Sequence, residues 1–465
     1  GELFAEMQRD KFILNKIQCR WYRFAGHSWA DDILDTNVQA VEDVALKYQM
    51  LADPINAEIA EQRAKQATAE ADIDCCKAAG DADSLTEAKH QLDTVKDKIS
   101  KLLKQRGAFD KRSNQLRTKA RAEKCLWWSH HIPNGLAITG DEMDKKPMLL
   151  PCLNGVIDLE TGKLHDGHPQ DYLVNTLPIN YDPNATSTDW MPFLREIHQD
   201  DEEKAQFVRR FFGYCLTGLT SEQIIACFIG DGANGKGTMF DVMQHILGPL
   251  AWSISPELIL EQKNPRSSAG ASADIMSLNG RRLIIASETA KNRRIAGDAV
   301  KRYTGEDILI GRGPFDKVQR HQKQDPQNAT IYRQRNDALP RLLKQQAPGI
   351  LADLVRACLE WQRDGLNPPE SINIAAEQHH LEEDHLARFC REACTLEEGY
   401  RITVGNFHKI YIKWYGTEIS SKDRFAPSTI AVGKDLVKLG YRKESQGGNT
   451  WVFGLRPPEY NSLDY

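Results

Sequence analysis

A lysine at the end of a glycine-rich run is the residue pattern in this chain best suited to hold a triphosphate. Residues 230–238 read Gly230-Asp231-Gly232-Ala233-Asn234-Gly235-Lys236-Gly237-Thr238. Glycines let backbone N–H groups turn inward around phosphate oxygens, a lysine brings charge to the β and γ oxygens, and a following helix adds its dipole. All nine residues are therefore candidates for binding ATP with Mg²⁺, and Lys236 is the candidate catalytic cation. The hydroxyl that ordinarily ligates Mg²⁺ directly follows the lysine, where Gly237 stands. Thr238, one residue further on, or a water takes that place, which makes Thr238 a metal candidate.

A carboxylate completes the chemistry. Leu283-Ile284-Ile285-Ala286 reads as an apolar strand that runs into Ser287-Glu288. A carboxylate at the carboxyl end of a parallel strand, facing such a loop, can polarise the attacking water or hold the metal. Glu288 is the candidate acid/base and a metal ligand. Ser287 occupies the place where many such enzymes carry a metal-holding aspartate, so Glu288 has both tasks.

The elements needed to position these groups are legible around them. Residues 224–229 form a continuous apolar run, as expected of a strand covered on both faces, and residues 239–247 are compatible with a helix. Strand-like and helix-like segments alternate over 224–318, which predicts a three-layer α/β domain. Helical pattern is expected over 190–216, with Asp189 as N-cap, and over 339–363, closed by a linker at Gly365-Leu-Asn-Pro368-Pro369. Asn154-Gly155 and Thr161-Gly162 punctuate strands and turns in 147–182.

Outside that core the composition changes twice. Residues 1–35 are aromatic-rich (Trp21, Tyr22, Phe24, Trp29) without a clear period. Residues 38–121 are Ala-, Glu-, Lys- and Gln-rich, and Leu85, Ala88, Leu92, Val95, Ile99 and Leu102 recur at spacings of 3 and 4. That seam, broken at Ala79-Gly80-Asp81, predicts two long helices folded back as a hairpin arm. Near the other end, helical segments at 385–396, 404–416 and 428–439 precede a hairpin over 441–455 that turns at Gly447-Gly448-Asn449. Three helices and a hairpin is a winged-helix order. Residues 400–456 carry 10 Lys/Arg against 4 Asp/Glu within a chain of net charge −5. The domains expected are 1–146 with the arm, 147–218 as a small mixed segment and lead-in, 219–368 as the nucleotide-binding motor, and 385–456 as the winged helix.

Bulk properties bound the rest. A chain of 465 residues with 41% hydrophobic content is globular and divides into roughly two to four domains. No run of 18 apolar residues occurs, so no bilayer-spanning helix is expected. The ten cysteines form no CxxC and no paired knuckles, and read as buried reduced thiols of a cytoplasmic protein, Cys227 among them in an apolar run. Gly1-Glu-Leu-Phe has neither an initiator Met nor the features of a signal peptide, and reads as the start of part of something longer.

The order of these pieces resembles superfamily 3 helicases, specifically the phage and plasmid primase–helicase family that includes poxvirus-type members. Leu153-Asn-Gly-Val-Ile-Asp-Leu-Glu-Thr-Gly162 looks like the family's segment before the motor, and Phe212-Gly-Tyr-Cys-Leu-Thr-Gly218 like its lead-in. Gly232-Ala-Asn-Gly-Lys236 resembles its P-loop, Ala286-Ser-Glu288 its acidic motif, and Lys301-Arg-Tyr-Thr-Gly-Glu-Asp307 with Arg312 its third motif. Gly349-Ile-Leu and Glu360-Trp-Gln-Arg-Asp-Gly365 look like the closing helix. The resemblance covers about 150–370 well, the first 35 residues weakly and the arm hardly at all.

The resemblance implies an α/β fold: an AAA+ type P-loop ATPase domain with an N-terminal α-helical collar or arm and a C-terminal winged-helix domain. It further implies a homo-oligomeric, usually hexameric ring that translocates on single-stranded DNA. A priming domain often precedes such motors. One departure stands out. The family continues after Arg312 through a strand ending in Thr-Asn, then an arginine pair that reaches the neighbouring subunit's ATP. Here Phe315-Asp-Lys-Val-Gln-Arg-His321 passes within twenty residues to Tyr332-Arg-Gln-Arg-Asn336. Either the motor lacks its sensor and arginine finger, or residues are missing from the chain near 318–330, and the second is the expectation. Arg333 and Arg335 are alternative finger residues but read first as exposed arginines on a helix.

Two surfaces are candidates for DNA. Strand-like runs around Gly311-Arg312-Gly313-Pro314 suit a hairpin that presents Lys301, Arg312 and Lys317 to phosphates in a ring channel. Lys434, Lys438, Arg442 and Lys443 of the winged-helix region are the second set. The function expected is an ATP-dependent helicase that unwinds forked duplex during replication of a phage, plasmid or mobile element in a bacterial host. Two rivals remain: an ATPase that loads other replication proteins, and a nucleotide-binding DNA scaffold without unwinding activity.

Overall fold

The structure, a computed structural model, describes residues 1–229, 234–260, 275, 277–286, 296, 304, 338–418 and 427–458. The chain divides into two compact units. The first is Gly1–Lys146, Pro151–Val156 and Leu164–Thr176, and the second is Pro147–Leu150, Ile157–Lys163 and Leu177–Tyr465.

In the first unit a short helix, α1 (Glu2–Met7), precedes strands β1 (Phe12–Asn15), β2 (Arg20–Phe24) and β3 (Trp29–Asp31). These are antiparallel neighbours, and β4 (Ala137–Ile138) joins β1 in parallel to give the order β3-β2-β1-β4. The aromatic residues that show no period in sequence supply this sheet's core. Tyr22 and Trp29 are buried with Ile13, and the Trp29 indole N–H donates to the Pro169 carbonyl at 2.8 Å.

Helices α2 (Thr36–Gln39), α3 (Val41–Ala79), α4 (Ala82–Leu116) and α5 (Lys119–Ser129) follow. Asp32 starts them, with its carboxylate accepting from the N–H groups of Thr36 and Asn37 at 3.0 and 2.8 Å. The α3–α4 turn uses two residue types for separate reasons. Gly80 takes the left-handed conformation (φ 70°) that ends α3, and the Asp81 side chain accepts from Ser84 N–H at 3.2 Å to begin α4. Along the hairpin Ile55, Ile59 and Leu102 cluster against Phe109, and Ala88 and Ile99 are buried further along α4. Burying an aliphatic side chain of this size stabilises by about 1.5–3 kcal/mol, which holds two long polar helices together. At the root, Phe4, Val44, Cys125, Leu126 and Leu136 form the core beneath the arm.

Strands β5 (Leu149–Cys152), β6 (Gly155–Asp158) and β7 (Lys163–His165) form a sheet in sequence order. The second turn closes where Gly162 N–H donates to the Asp158 carbonyl at 2.7 Å, with Gly162 at φ 71°.

In the second unit, the helix expected over 190–216 is two helices, α6 (Trp190–Ile197) and α7 (Glu202–Tyr214). Gln199 and Asp200 break it with φ of 58° and 60°, and Asp201 caps α7 by accepting from Lys204 N–H at 3.0 Å. Asp189 does not cap α6 with its side chain, which instead accepts from Gln346. The helix expected over 339–363 also divides, into α9 (Leu339–Gln345) and α10 (Ala347–Asp364). Gln346 at that break accepts through Oε1 from the Ser187 hydroxyl at 2.6 Å and from Thr188 N–H at 3.0 Å. Between these pairs lie α8 (Lys236–Leu247) and two parallel strands, β8 (Ala251–Ile254) and β9 (Leu283–Ala286).

The last elements are α11 (Glu370–Glu383), α12 (His385–Glu392), β10 (Thr395–Thr403), α13 (Val404–Glu418), α14 (Thr429–Lys438), β11 (Lys443–Gln446) and β12 (Asn449–Arg456). The strands pair antiparallel in the order β10-β12-β11. Helix α11 and strand β10 are not foreseen by the sequence pattern. The stretch expected to stay helical to 396 instead turns at Ala393–Cys394 into β10, whose Ile402 joins Phe389, Phe407, Tyr411, Val432, Leu436, Val452 and Leu455 in one core.

Candidate nucleotide-binding and nucleic-acid sites

Of the nine loop residues, Asn234, Gly235, Lys236, Gly237 and Thr238 are described, while Gly230, Asp231, Gly232 and Ala233 lie outside the described residues. Gly235 precedes α8 at φ 83°, and a Cβ there would stand 2.3 Å from Ile197 Cγ2, so only glycine fits. Lys236 is the first helical residue, with Gly237 and Thr238 in the same turn. Main-chain N–H groups of a first turn have no acceptor within the helix, and they carry the positive end of its dipole. Gly237 is exposed, and among the described residues nothing lies within 4 Å of where its Cβ would be. The turn is held firmly, because Met239, Val242, Met243 and Ile246 behind it are fully buried. Donors, a lysine and an exposed glycine therefore converge at the start of a fixed helix, an arrangement that can hold phosphate oxygens.

The strand expected over 224–229 is not formed. That stretch is irregular, and Ile224, Ile225 and Ile229 face solvent, as does Cys227. A strand covered on both faces needs neighbours, and among the described residues the sheet here contains only β8 and β9. The segment is instead fixed by Phe228, which packs against Phe212 and edge-on to Phe240 of α8.

A short reversal returns β8 along α8, with Gln244 Nε2 donating to the Ser253 hydroxyl at 2.7 Å. Strands β8 and β9 run parallel, with Ile254 paired to Ala286 at their carboxyl ends. Two arginines anchor the start of β9. Arg282 donates to the carbonyls of Leu216 and Leu149, and Arg281 donates to that of Pro249 and lies over the Trp252 ring at 4.8 Å. Glu288, Lys301, Arg312 and Lys317 lie outside the described residues, as do Arg333 and Arg335.

Behind the loop, α7 and α10 are joined by charge. Arg209 donates to Asp353 at 2.9 Å and to Glu360 at 2.5 Å. Burial opposes the Arg209 charge, but the hydrogen bonds to the two carboxylates outweigh it and hold the guanidinium pKa above its ordinary value.

The second set of candidates lies on α14 and β11. Lys434 is exposed, and Lys438 Nζ lies 2.6 Å from Asp435. Arg442 pairs with Glu444 and covers the Phe453 ring at 5.1 Å. Lys443 ties β11 to α14 by donating to the Gly433 carbonyl at 2.9 Å. Local carboxylates thus moderate two of these four charges, Lys438 and Arg442.

One cluster escapes the sequence pattern. Lys16 Nζ lies 2.8 Å from His130 Nδ1 and 3.5 Å from His131 Nε2, and the Trp127 ring stacks on His131 at 4.0 Å. Burial, with Lys16 and His131 adding to it, lowers the His130 pKa from 6.5 to about 4. The run Trp127-Trp128-Ser-His130-His131 is its signal in the sequence, but nothing there points to Lys16 as its neighbour. Among the described residues, no group of three His, Cys, Asp or Glu could hold a metal ion. No described helix is long and apolar enough to cross a membrane.

Residues 1–199 match the family described as "D5 N terminal like". The match includes the helical arm, where the motif resemblance is thinnest, so the likeness extends further toward Gly1 than the motifs alone imply. The chain is 27% identical over 316 residues to "Putative helicase 121R" of Invertebrate iridescent virus 3, covering 66% of this chain and 30% of that protein. It is 29% identical over 179 residues to "Putative helicase L207/L206" of Acanthamoeba polyphaga mimivirus, covering 37% and 18%. It is 23% identical over 199 residues to "Primase D5" of Fowlpox virus, covering 40% and 24%. The chain thus spans less than a third of the length of these relatives. Together the matches support kinship with a primase–helicase family. These relatives belong to viruses of other hosts than the bacteria expected from the motif resemblance.

Proposed function

We propose that this chain carries the ATP-driven motor of a DNA helicase acting in viral replication. The observation that supports it most is the start of α8. Gly235, whose left-handed φ and contact with Ile197 favour glycine, delivers Lys236 and Thr238 to the first turn of a helix with a buried inner face. In this reading residues 230–238 bind ATP with Mg²⁺, Lys236 stabilises the transferred charge, and Thr238 and Glu288 serve the metal. Glu288, leaving the carboxyl end of β9, also activates the attacking water.

The motor is an AAA+ type domain that closes into a homo-oligomeric ring, hexameric by family likeness. Lys301, Arg312 and Lys317 follow phosphates in its channel. The order α12-β10-α13-α14-β11-β12 supports a winged-helix reading of the C-terminal part, with Lys434, Lys438 and Arg442 toward DNA.

ATP turnover by the purified chain, with and without single-stranded DNA, tests the reading. A translocating motor hydrolyses ATP faster when DNA is present. A nucleotide-binding scaffold shows no stimulation, and a loading ATPase turns over ATP without displacing a strand.

A further inference from the structure

Strands β10, β12 and β11 bury one face and leave the other to solvent, and the solvent face has an unusual composition. Val452 of β12 and Ile402 of β10, paired in register, point into the core, while Gly454, with φ 79°, breaks the alternation before Leu455. Alternation along a strand therefore puts Trp451 and Phe453 on the outer face. Pairing fixes their neighbours. Arg401 stands opposite Phe453 and Thr403 opposite Trp451 on one side, while Glu444 stands opposite Trp451 on the other. Arg442 completes the second row, because its carbonyl accepts from Phe453 N–H at 3.0 Å. One row across the sheet thus reads Arg401, Phe453, Arg442.

The arginines lie on the rings. The Arg401 guanidinium is 4.8 Å from the centroid of Trp451, and that of Arg442 is 5.1 Å from Phe453. Arg456 of β12 lies over the Tyr400 ring of β10 at 5.6 Å, but Tyr400 packs against the core and does not belong to this face. Arg401 and Arg442 are exposed and the rings under them half-buried. Glu444, on this face, engages Arg442, and Glu397 engages Arg456, so the arginine with no ion pair among the described residues is Arg401.

We propose that this outer sheet face binds single-stranded nucleic acid, as a platform separate from Lys434 and Lys438 on α14. Three arguments favour that occupant. Rings and guanidinium planes in alternation offer flat surfaces to bases, and guanidinium edges offer N–H donors to phosphates. A single strand presents its base faces, whereas a duplex keeps them stacked inside. Charge agrees, since residues 400–456 hold six more basic than acidic residues in a chain of net charge −5. The inference rests on the nucleic-acid-directed part of the proposed function and is independent of ATP hydrolysis.

The test is equilibrium binding of the full chain to a labelled oligothymidylate over a range of salt, with an equal-length oligouridylate, a duplex and polyglutamate as further probes. Replacing both arginines (Arg401→Gln with Arg442→Gln) is expected to weaken oligothymidylate binding by about tenfold or more and to lower the salt slope by about 1.4. Trp451→Leu is expected to weaken binding as well, and Trp451→Phe to restore part of it. An unchanged melting temperature establishes that each variant is folded. Removing two charges from the arm instead (Lys89→Gln with Lys96→Gln) is expected to leave binding as in the parent. Oligouridylate binding as tightly as oligothymidylate makes the platform indifferent to the sugar, and weaker binding makes it selective for DNA; both support it.

The inference is overturned if the sheet variants bind as the parent does, or if the arm variant loses as much as they do. Tighter binding of the duplex or of polyglutamate through the same residues also overturns it. A chain that binds through this face but never hydrolyses ATP would remove the motor reading and leave this one intact.

Discussion

Arg209 Nε on α7 lies 2.9 Å from Asp353 Oδ2 on α10, and both side chains are largely buried, at 9% and 16% exposure. The two helices flank the segment that leads to the start of α8, so this pair is a structural fastening of the second unit. Removing one member of a buried pair strands the other charge. Asp353→Ala is expected to destabilise the second unit by about 2–4 kcal/mol, with Glu360 retaining part of the interaction. Chemical denaturation of the variant against the parent checks this. Glu360→Gln should cost less, because Glu360 is 35% exposed.

Close approach of the same helices depends on Gly213. A Cβ at that position would meet Cys358 N at 2.6 Å and Ala357 C at 2.7 Å, both of them backbone atoms that cannot swing aside. Gly213→Ala is therefore expected to push α7 from α10 and cost about 1–3 kcal/mol. A lowered melting temperature is the readout, and an unchanged one would mean the helices are not in this contact.

The His130 cluster predicts a pH dependence whose sign is fixed. Burial first, then Lys16 and His131, hold this imidazole near 4 in the folded chain against an ordinary 6.5. Between those values the unfolded chain takes up a proton that the folded chain does not. Stability from this group is therefore present above 6.5 and is lost as pH falls through the window toward 4. The ring is partly exposed, so solvent screening keeps the loss below about 1–2 kcal/mol. From pH 7 to 5 the melting temperature of the parent should fall further than that of His130→Gln. Equal falls would place the histidine outside such a cluster.

Local signals in the sequence carried much of this architecture. The turn at Ala79-Gly80-Asp81 is legible because each residue has its own task, a left-handed φ at Gly80 and a cap at Asp81. The seam of Leu85 through Leu102 is legible because one helix face repeats at 3 and 4. The hairpin turn at Gly447-Gly448 is similarly local. What failed depended on distant partners. Apolar residues at 224–229 look like a buried strand, yet burial requires neighbouring strands that the composition of the segment does not supply. The helix break at Gln346 lies in a residue that is ordinary within helices and is set by contacts with Ser187 and Thr188 far along the chain, while the break at Gln199–Asp200 is made by two left-handed residues and the Asp201 cap. Strand β10 was hidden because its charged stretch, Glu397-Glu398, has no strand alternation, and β12 provides the pairing.

For the candidate site, the junction at which Gly235 leads into a helix beginning at Lys236 is legible because it is a local feature. The arginine–ring face of the C-terminal sheet was not legible, although Arg442 was singled out as a charge. Its partners Arg401, Trp451 and Phe453 meet only through strand pairing between residues about fifty positions apart in the sequence.

The most direct test of the motor reading is strand displacement from a forked duplex by the full chain, with ATP and Mg²⁺, beside its Lys236→Ala variant. The account predicts displacement by the parent that requires ATP, and a loss of about a hundredfold or more in the variant at unchanged melting temperature. Displacement that proceeds equally well in the variant, or a parent that hydrolyses ATP without separating the strands, would contradict it.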